Sequence, residues 1–260
     1  MVEQTDEQIL ASVVVAGQTV AEHLERAIAS GAVIRHADGQ LELAQFTSQP
    51  GKPADLDQFL RPTSPRPFLP CAFLNRFMFD HVYGKAAVPF GCQACYKVKV
   101  ISRTMRQMIA VRSLAESLPY ATKSGPEVDN PENPHPYGTY LYLNGLEQAR
   151  AVYRTLRQMI DEHAQLGTEV RMLIKRGCTN YERKCGPSDQ YTFDPALEAV
   201  EAVLARRFHK PIEPFDGKTR NAIRMLQIIR IAYRIGDETY KDFTDGKPPV
   251  LSGVTYTPDP

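Results

Sequence analysis

Residues 91–100, Gly-Cys-Gln-Ala-Cys-Tyr-Lys-Val-Lys-Val, place two cysteines directly before a run in which side-chain polarity alternates. The two-residue spacing of Cys92 and Cys95 lets a single turn aim both sulfurs at a common centre. The alternation from Tyr96 to Val100 predicts a β-strand, because successive side chains of a strand point to opposite faces. The stretch therefore predicts a metal-binding turn that the following strand fixes to the fold.

A second cysteine pair follows another predicted strand, over 170–174. Residues 177–187 read Gly-Cys-Thr-Asn-Tyr-Glu-Arg-Lys-Cys-Gly-Pro. In both pairs the first cysteine follows a glycine, which reduces steric bulk where the chain must wrap a metal. The Gly-Pro after the last cysteine ends regular structure. We predict that the two pairs form one metal site that joins separated segments of the chain. The predicted ligands are Cys92, Cys95, Cys178 and Cys185.

Basic residues flank both cysteine pairs. A thiolate near a cation has a lowered pKa and binds metal more readily at neutral pH. Positive side chains would also offset the negative charge of a four-thiolate centre. The predicted cofactor-binding residues that supply this charge are Lys97, Lys175 and Arg176. Tyr96 and Tyr181 are candidates for shielding the centre from water.

Four cysteines suit both zinc and iron–sulfur clusters. Structural zinc usually takes two short-spaced pairs, but here residues 179–184 separate the second pair and residues 96–177 lie between the pairs. An iron–sulfur cluster is therefore the preferred cofactor, [4Fe–4S] before [2Fe–2S], and zinc is the alternative. A metal-free redox pair and simply buried thiols are the remaining interpretations.

Two residues upstream are secondary candidates. Cys71, in Leu-Pro-Cys-Ala-Phe-Leu, is expected to be a small buried residue; the sharper alternatives are a fifth ligand or a substitute for Cys185. His81 precedes the first cysteine pair and is the best-placed histidine for a site near the metal. A histidine that only satisfies the fold is the more ordinary interpretation of His81.

Helical periodicity predicts helices at the N-terminus and over 102–118, 146–166, 195–207 and 218–235. Asp38-Gly39 between two alternating runs predicts a hairpin with a type I′ turn. Strands are expected to be short and few, so the predicted fold class is a helix-dominated α+β fold. The heptapeptide 103–109 recurs at 154–160 with one change. This echo indicates either a duplicated strand–helix unit or two helices built from the same good helix formers.

Composition shifts predict three segments. Residues 1–48 are expected to form an arm made of an N-terminal helix and a β-hairpin. Residues 49–67 are rich in Pro, Ser, Thr and Gly, which is typical of a linker. Residues 68–260 are the predicted main cysteine-containing, metal-binding domain.

Charge and hydropathy make some classes of partner less favoured. The 31 Lys and Arg nearly balance the 30 Asp and Glu, so no global charge attracts nucleic acid or anionic membrane. No run approaches the roughly 18 apolar residues of a membrane span, and the acidic N-terminus lacks the basic region of a signal peptide. We expect a cytoplasmic protein without a membrane partner, whose five cysteines do not form structural disulfides.

Three functions are compatible with this sequence. The preferred one is a cytosolic iron–sulfur protein that transfers electrons or serves as an accessory or assembly factor for a redox enzyme, with a redox protein as partner. The first alternative is a zinc-stabilised binding module that contacts a protein or nucleic acid, of which nucleic acid is the less favoured. The second is an enzyme whose cluster acts as a Lewis acid on an anionic substrate, which needs an open coordination position.

Overall fold

The protein, seen here in a computed structural model, is described over residues 4–44, 59–61, 71–129, 133–208 and 217–249. With 50% helix and 19% strand, it confirms the predicted mixture of helix and sheet. The α-helices are α1 (Asp6–Ser12), α2 (Val20–Ala29), α3 (Cys71–Phe73), α4 (Met105–Ser117), α5 (Leu146–Asp161), α6 (Thr179–Cys185), α7 (Ala196–Arg207) and α8 (Gly217–Arg234). A π-helix, Leu74–Val82, continues α3, and 3₁₀ turns span Phe90–Cys92, Ser188–Gln190 and Glu238–Phe243.

The strands form two small hairpins and one central sheet. The hairpins are β1 (Val14–Val15) with β2 (Gln18–Thr19), and β3 (Val33–Arg35) with β4 (Leu41–Leu43). The sheet contains β5 (Phe59–Arg61), β6 (Cys95–Ser102), β7 (Ala121–Pro126), β8 (Tyr137–Asn144) and β9 (Arg171–Arg176). The sequence predicted short strands, but β6 and β8 are each eight residues long. The central sheet is therefore larger than expected.

The N-terminal helix is broken in two. Thr5 and Thr19 each accept a backbone N–H from the third helical residue, which caps α1 and α2 separately. The β1–β2 turn between the helices has positive φ at Ala16 and Gly17 (49° and 82°). The hairpin predicted at Asp38-Gly39 is confirmed as β3–β4, but of these two residues only Gly39 has a positive φ (83°), so the predicted type I′ turn is wrong.

The central sheet has the strand order β5-β7-β8-β6-β9, and every neighbouring pair is antiparallel. Along the chain, the unit β6-α4-β7 is followed by the unit β8-α5-β9. In the sheet, β8 lies between β6 and β7, and β6 lies between β8 and β9, so the two strands of each unit are separated by a strand of the other unit. This is the split β-α-β arrangement, called ferredoxin-like as a name for topology alone. Helices α4 and α5 cover one face of this sheet, where Val98, Val100 and Leu141 are fully buried.

The repeated heptapeptide does not follow this internal symmetry. Residues 103–109 span the start of α4, whereas residues 154–160 lie in the middle and end of α5. The two copies therefore occupy different positions in the two units. Their likeness reflects a shared helical composition rather than matching positions in a repeat.

The predicted N-terminal arm shares a core with the cysteine-containing region. One cluster of buried side chains combines Leu24 of α2 and Leu41 of β4 with Phe77 of the π-helix, Cys92 and Leu204. Inside the segment predicted as a linker, residues 59–61 form the edge strand β5 against β7. The remainder of that segment lies outside the described residues. Within the described ranges, none of the helices combines the length and apolar character of a membrane-spanning helix.

Candidate metal centre

Strand β6 carries two buried lysines on the sheet face opposite to α4 and α5. Lys97 and Lys99 are only 7% and 8% exposed. A buried ammonium group is costly unless it is paired. Lys99 has a conventional partner, since its Nζ lies 3.1 Å from the Glu127 carboxylate. Lys97 has no carboxylate partner in the described part of the chain, and what it contacts instead defines the candidate site.

The partner of Lys97 is the thiol of Cys178. Lys97 Nζ donates to Cys178 Sγ at 3.3 Å and also lies 5.1 Å from the centre of the Tyr142 ring. Burial acts to lower the pKa of Lys97, but Cys178, Tyr142 and Cys95 raise it above its usual value. The charge of the Lys97 ammonium in turn favours negative charge on the nearby sulfur.

Cys178 is delivered to this position by the end of β9. Gly177 adopts a positive φ of 66° and donates its N–H to the Cys95 carbonyl at 2.9 Å. This bond joins the two predicted cysteine segments through the backbone. Cys178 is then the N-cap residue of α6 and remains half-exposed.

The Cys92–Cys95 turn is fixed by a buried carboxylate. Glu201 of α7, only 5% exposed, accepts the N–H groups of Phe90 and Gly91 at 2.7 Å each and the Tyr83 hydroxyl at 2.5 Å. Burial raises the pKa of Glu201, and these three donors act in the opposite direction. Glu201 thus orients the chain immediately before Cys92.

The other side of the same turn is held by backbone and guanidinium donors. Gly145 N–H donates to the Ala94 carbonyl at 2.8 Å, and the Arg176 guanidinium donates to the Gln93 carbonyl at 2.9 Å. The Arg176 guanidinium also lies over the Phe193 ring at 4.8 Å. The turn is therefore tied to the ends of β8 and β9 as well as to α7.

Cys71 lies near the same place, at the start of the helical segment that leads into the π-helix. The Asn75 amide nitrogen donates to the Cys71 carbonyl at 3.1 Å and points at Cys178 Sγ at 3.9 Å. The Cys71 carbonyl and the Cys178 sulfur therefore lie within 7.0 Å of each other, the sum of these two distances. Burial raises the pKa of Cys71 to about 12, with further contributions from Cys178 and Cys95.

Cys92 completes a group that we call the thiol cluster, defined as Cys71, Cys92, Cys95 and Cys178. The Cys92 thiol is 5% exposed and lies 3.6 Å from the hydroxyl of the fully buried Tyr181. Burial raises the pKa of Cys92 well above its usual value, and Cys95, Cys178 and Cys71 add to this rise. Metal binding to the cluster would therefore release protons.

Cys185, the fourth ligand predicted from the sequence, makes a different contact. Its thiol donates to the Lys85 carbonyl at 3.6 Å. Burial alone raises its pKa, with no contribution from another thiol of the described chain. Cys185 ends α6, so the helix carries it away from the N-terminal position of Cys178. Asn75 thus brings Cys71 close to Cys178, whereas Cys185 packs against the same core as Cys92 and Cys95 without influencing their thiols.

The three predicted charge-compensating residues have separate roles. Lys97 contacts a cluster sulfur directly. Lys175 instead pairs with Glu182 and donates to the Thr179 hydroxyl at 3.0 Å, which stabilises the first turn of α6. Arg176 fastens the Gln93 carbonyl. Lys175 and Arg176 therefore stabilise the backbone of the two cysteine segments and do not contact the sulfurs of the thiol cluster.

Two other sequence candidates lie elsewhere. His81 stacks on Phe77 with ring centres 6.2 Å apart, and burial lowers its pKa. Tyr96 lies under the Arg176 guanidinium on the opposite face of β6 from Lys97. Of the two tyrosines proposed as shields, Tyr181 is the one beside the thiols.

The thiols of the cluster are chemically suitable metal ligands, but their side chains are not yet arranged around a common point. No disulfide joins any of the five cysteines, all of which belong to the described residues. The cluster draws its thiols from three separated segments and has a buried cation beside it. In the part of the chain that the structure describes, no three His, Cys, Asp or Glu side chains are already arranged to hold a metal ion. Binding therefore requires the thiols to turn toward a common point.

The fold and site together define an α+β protein with a split β-α-β sheet and a partly buried, cation-associated thiol cluster at one end of strand β6. No protein-family model, curated protein or solved structure matches this chain.

Proposed function

We propose that this chain is an iron–sulfur protein in which the thiol cluster binds the centre, [4Fe–4S] before [2Fe–2S]. Its role would be electron transfer, or service as an accessory or assembly factor for a redox enzyme in a reducing compartment such as the cytoplasm. The contact between Lys97 and Cys178 carries this proposal. In it, Cys71 takes the place that the sequence pattern gave to Cys185.

A buried ammonium bonded to sulfur argues against thiols that merely fill space. A neutral buried cysteine behaves as a small apolar residue and needs no cation. The cost of burying Lys97 is offset only if negative charge lies nearby, as it would on metal-bound thiolates. Hydrogen bonds to the sulfurs and local charge are two of the features by which proteins set the potential of iron–sulfur centres. Lys97 supplies both.

Zinc is the second candidate for the same four thiols. The observation in its favour is structural, since Cys92 and Cys95 pack in the core that contains α2 and the π-helix, while Cys178 follows the last strand of the sheet. A tetrahedral four-thiolate zinc would hold these parts together and leave no open position for catalysis. The protein would then be a zinc-stabilised binding module.

Metal analysis of cysteine variants tests the proposal. The wild type, purified without oxygen, is expected to be brown, with a broad absorption band near roughly 400 nm and stoichiometric iron. Cys92→Ala, Cys178→Ala and Cys71→Ala should each lose most of the bound metal, because each removes a ligand. Cys185→Ala is the matched control and should keep the wild-type metal content.

Each other outcome has a definite meaning. A colourless wild type with about one zinc per chain would select the zinc centre. Full metal content in both Cys92→Ala and Cys178→Ala would refute a shared site. Loss of metal in Cys185→Ala with retention in Cys71→Ala would restore the ligand set predicted from the sequence.

A further inference from the structure

A small cavity lies at the opposite end of the central sheet from the thiol cluster. Its volume is about 240 Å³, and it opens where β6 ends, α4 begins and β9 starts. Its lining residues are Ile101, Arg103, Gln107, His135, Glu169, Val170 and Arg171. Ile101 pairs directly with Arg171 in the sheet, so the floor of the cavity is regular backbone.

The cavity and the thiol cluster are separate sites. Cys95 and Ile101 stand at opposite ends of β6, six residues apart. At about 3.4 Å per residue, this separation is about 20 Å. A ligand in the cavity would therefore not touch the thiols, and the cavity can be tested whether or not a metal is bound.

The cavity is unusual for its two arginines. Neither the Arg103 nor the Arg171 side chain makes a hydrogen bond or ion pair within the described chain, although the Arg103 backbone N–H donates to Gln107. Nearby arginines differ, since Arg106 pairs with Asp242 and Arg157 with Asp161. Two guanidinium groups that have no anionic partner among the described residues thus line one cavity.

The remaining lining groups limit what can bind. His135 adds an imidazole, and Glu169 adds one carboxylate that opposes an anion. The two arginines and Glu169 together give the cavity a net charge of +1. The volume is below the roughly 300 Å³ at which pockets for drug-sized ligands begin. A compact anion fits these limits.

We propose that this cavity binds a phosphoryl dianion, either inorganic phosphate or the phosphate group of a small phosphomonoester. The planar guanidinium presents paired N–H donors whose spacing matches phosphate oxygens, so two arginines can hold one group at four points. The imidazole of His135 supplies a further donor. Glu169 disfavours larger polyanions, which would bring more charge near its carboxylate.

Calorimetric titration of the full chain at low ionic strength tests this site, because salt screens exposed charges. Inorganic phosphate is expected to bind saturably to the wild type. Arg103→Gln and Arg171→Gln should each weaken binding about tenfold, whereas Glu169→Gln should strengthen it. Arg154→Gln is the matched control: this arginine is exposed on α5, lies outside the cavity, and its loss should leave binding unchanged.

The source of the phosphoryl group is read from a second titrant, glycerol phosphate. Tighter binding than that of inorganic phosphate would identify a phosphomonoester as the ligand, and weaker binding would identify the free ion. The proposal is overturned if phosphate does not bind saturably. It is also overturned if Arg154→Gln weakens binding as much as Arg171→Gln, because binding would then reflect general surface charge.

Discussion

Glu201→Ala is expected to lower the free energy of unfolding by roughly 3 to 5 kcal/mol, because each buried donor left without a partner costs about 1 to 3 kcal/mol. The donors are the N–H groups of Phe90 and Gly91 and the hydroxyl of Tyr83. All three lose their acceptor at once, and the alanine side chain cannot fill the space. Urea unfolding of the metal-free protein measures this change without reference to the cofactor.

Glu198→Ala is the matched control for this prediction. Glu198 lies three residues earlier on the same helix and is exposed. Its removal should cost no more than about 0.5 kcal/mol, the scale of a favourable charge near a helix N-terminus. Equal effects of the two substitutions would show that Glu201 does not hold the turn.

Glu201→Ala should also reduce the metal content of the proposed centre. The turn before Cys92 is oriented by this carboxylate, and within the described chain the Phe90 and Gly91 N–H groups have no other acceptor. A variant that unfolds at lower urea but keeps full metal content would separate the stability of the turn from ligand geometry.

The sequence predicted individual strands and the hairpin better than it predicted how the strands pair in the central sheet. Alternation identified β6, and Asp38-Gly39 identified the β3–β4 hairpin, because both signals depend on neighbours in the chain. The sheet order could not be predicted in the same way. It depends on β6 pairing with β8 and β9, strands brought together by packing of α4 and α5.

The residues of the candidate site could be predicted only where neighbours in the chain determine their position. Lys97 shares β6 with Cys95, so its place on the cysteine side of the strand follows from alternation. The proximity of Cys71 to Cys178 does not, because it arises from the π-helix and Asn75. π-Helical turns are rare and frequently occur at functional sites, but periodicity of 3.6 residues does not reveal them.

The sequence contains a sign that Glu201 is buried, although Glu201 was not among the residues predicted for the site. On α7 it lies four residues after the buried Leu197 and three before the buried Leu204, on the apolar face of the helix. A charged residue on an apolar face requires buried partners. The sequence therefore marks Glu201 as special without indicating which backbone it contacts.

Lys97→Met is expected to lower the reduction potential of the proposed iron–sulfur centre by about 100 mV. Reduction adds negative charge, which the Lys97 ammonium stabilises from its position 3.3 Å from Cys178 Sγ. A unit charge about 6 Å away at an effective dielectric constant of about 20 is worth roughly 3 kcal/mol, and for one electron about 1.4 kcal/mol corresponds to about 59 mV. Redox titration of the purified variant measures the shift.

Lys123→Met provides the graded control for Lys97→Met. Lys123 influences Cys71 electrostatically, but its side chain makes no hydrogen bond or ion pair within the described residues. Its removal should lower the potential in the same direction by a smaller amount, since the charge is farther from the sulfurs. Equal potentials in the wild type and Lys97→Met would contradict a role for the buried ammonium in the centre. The contact with Cys178 would then serve the metal-free fold alone.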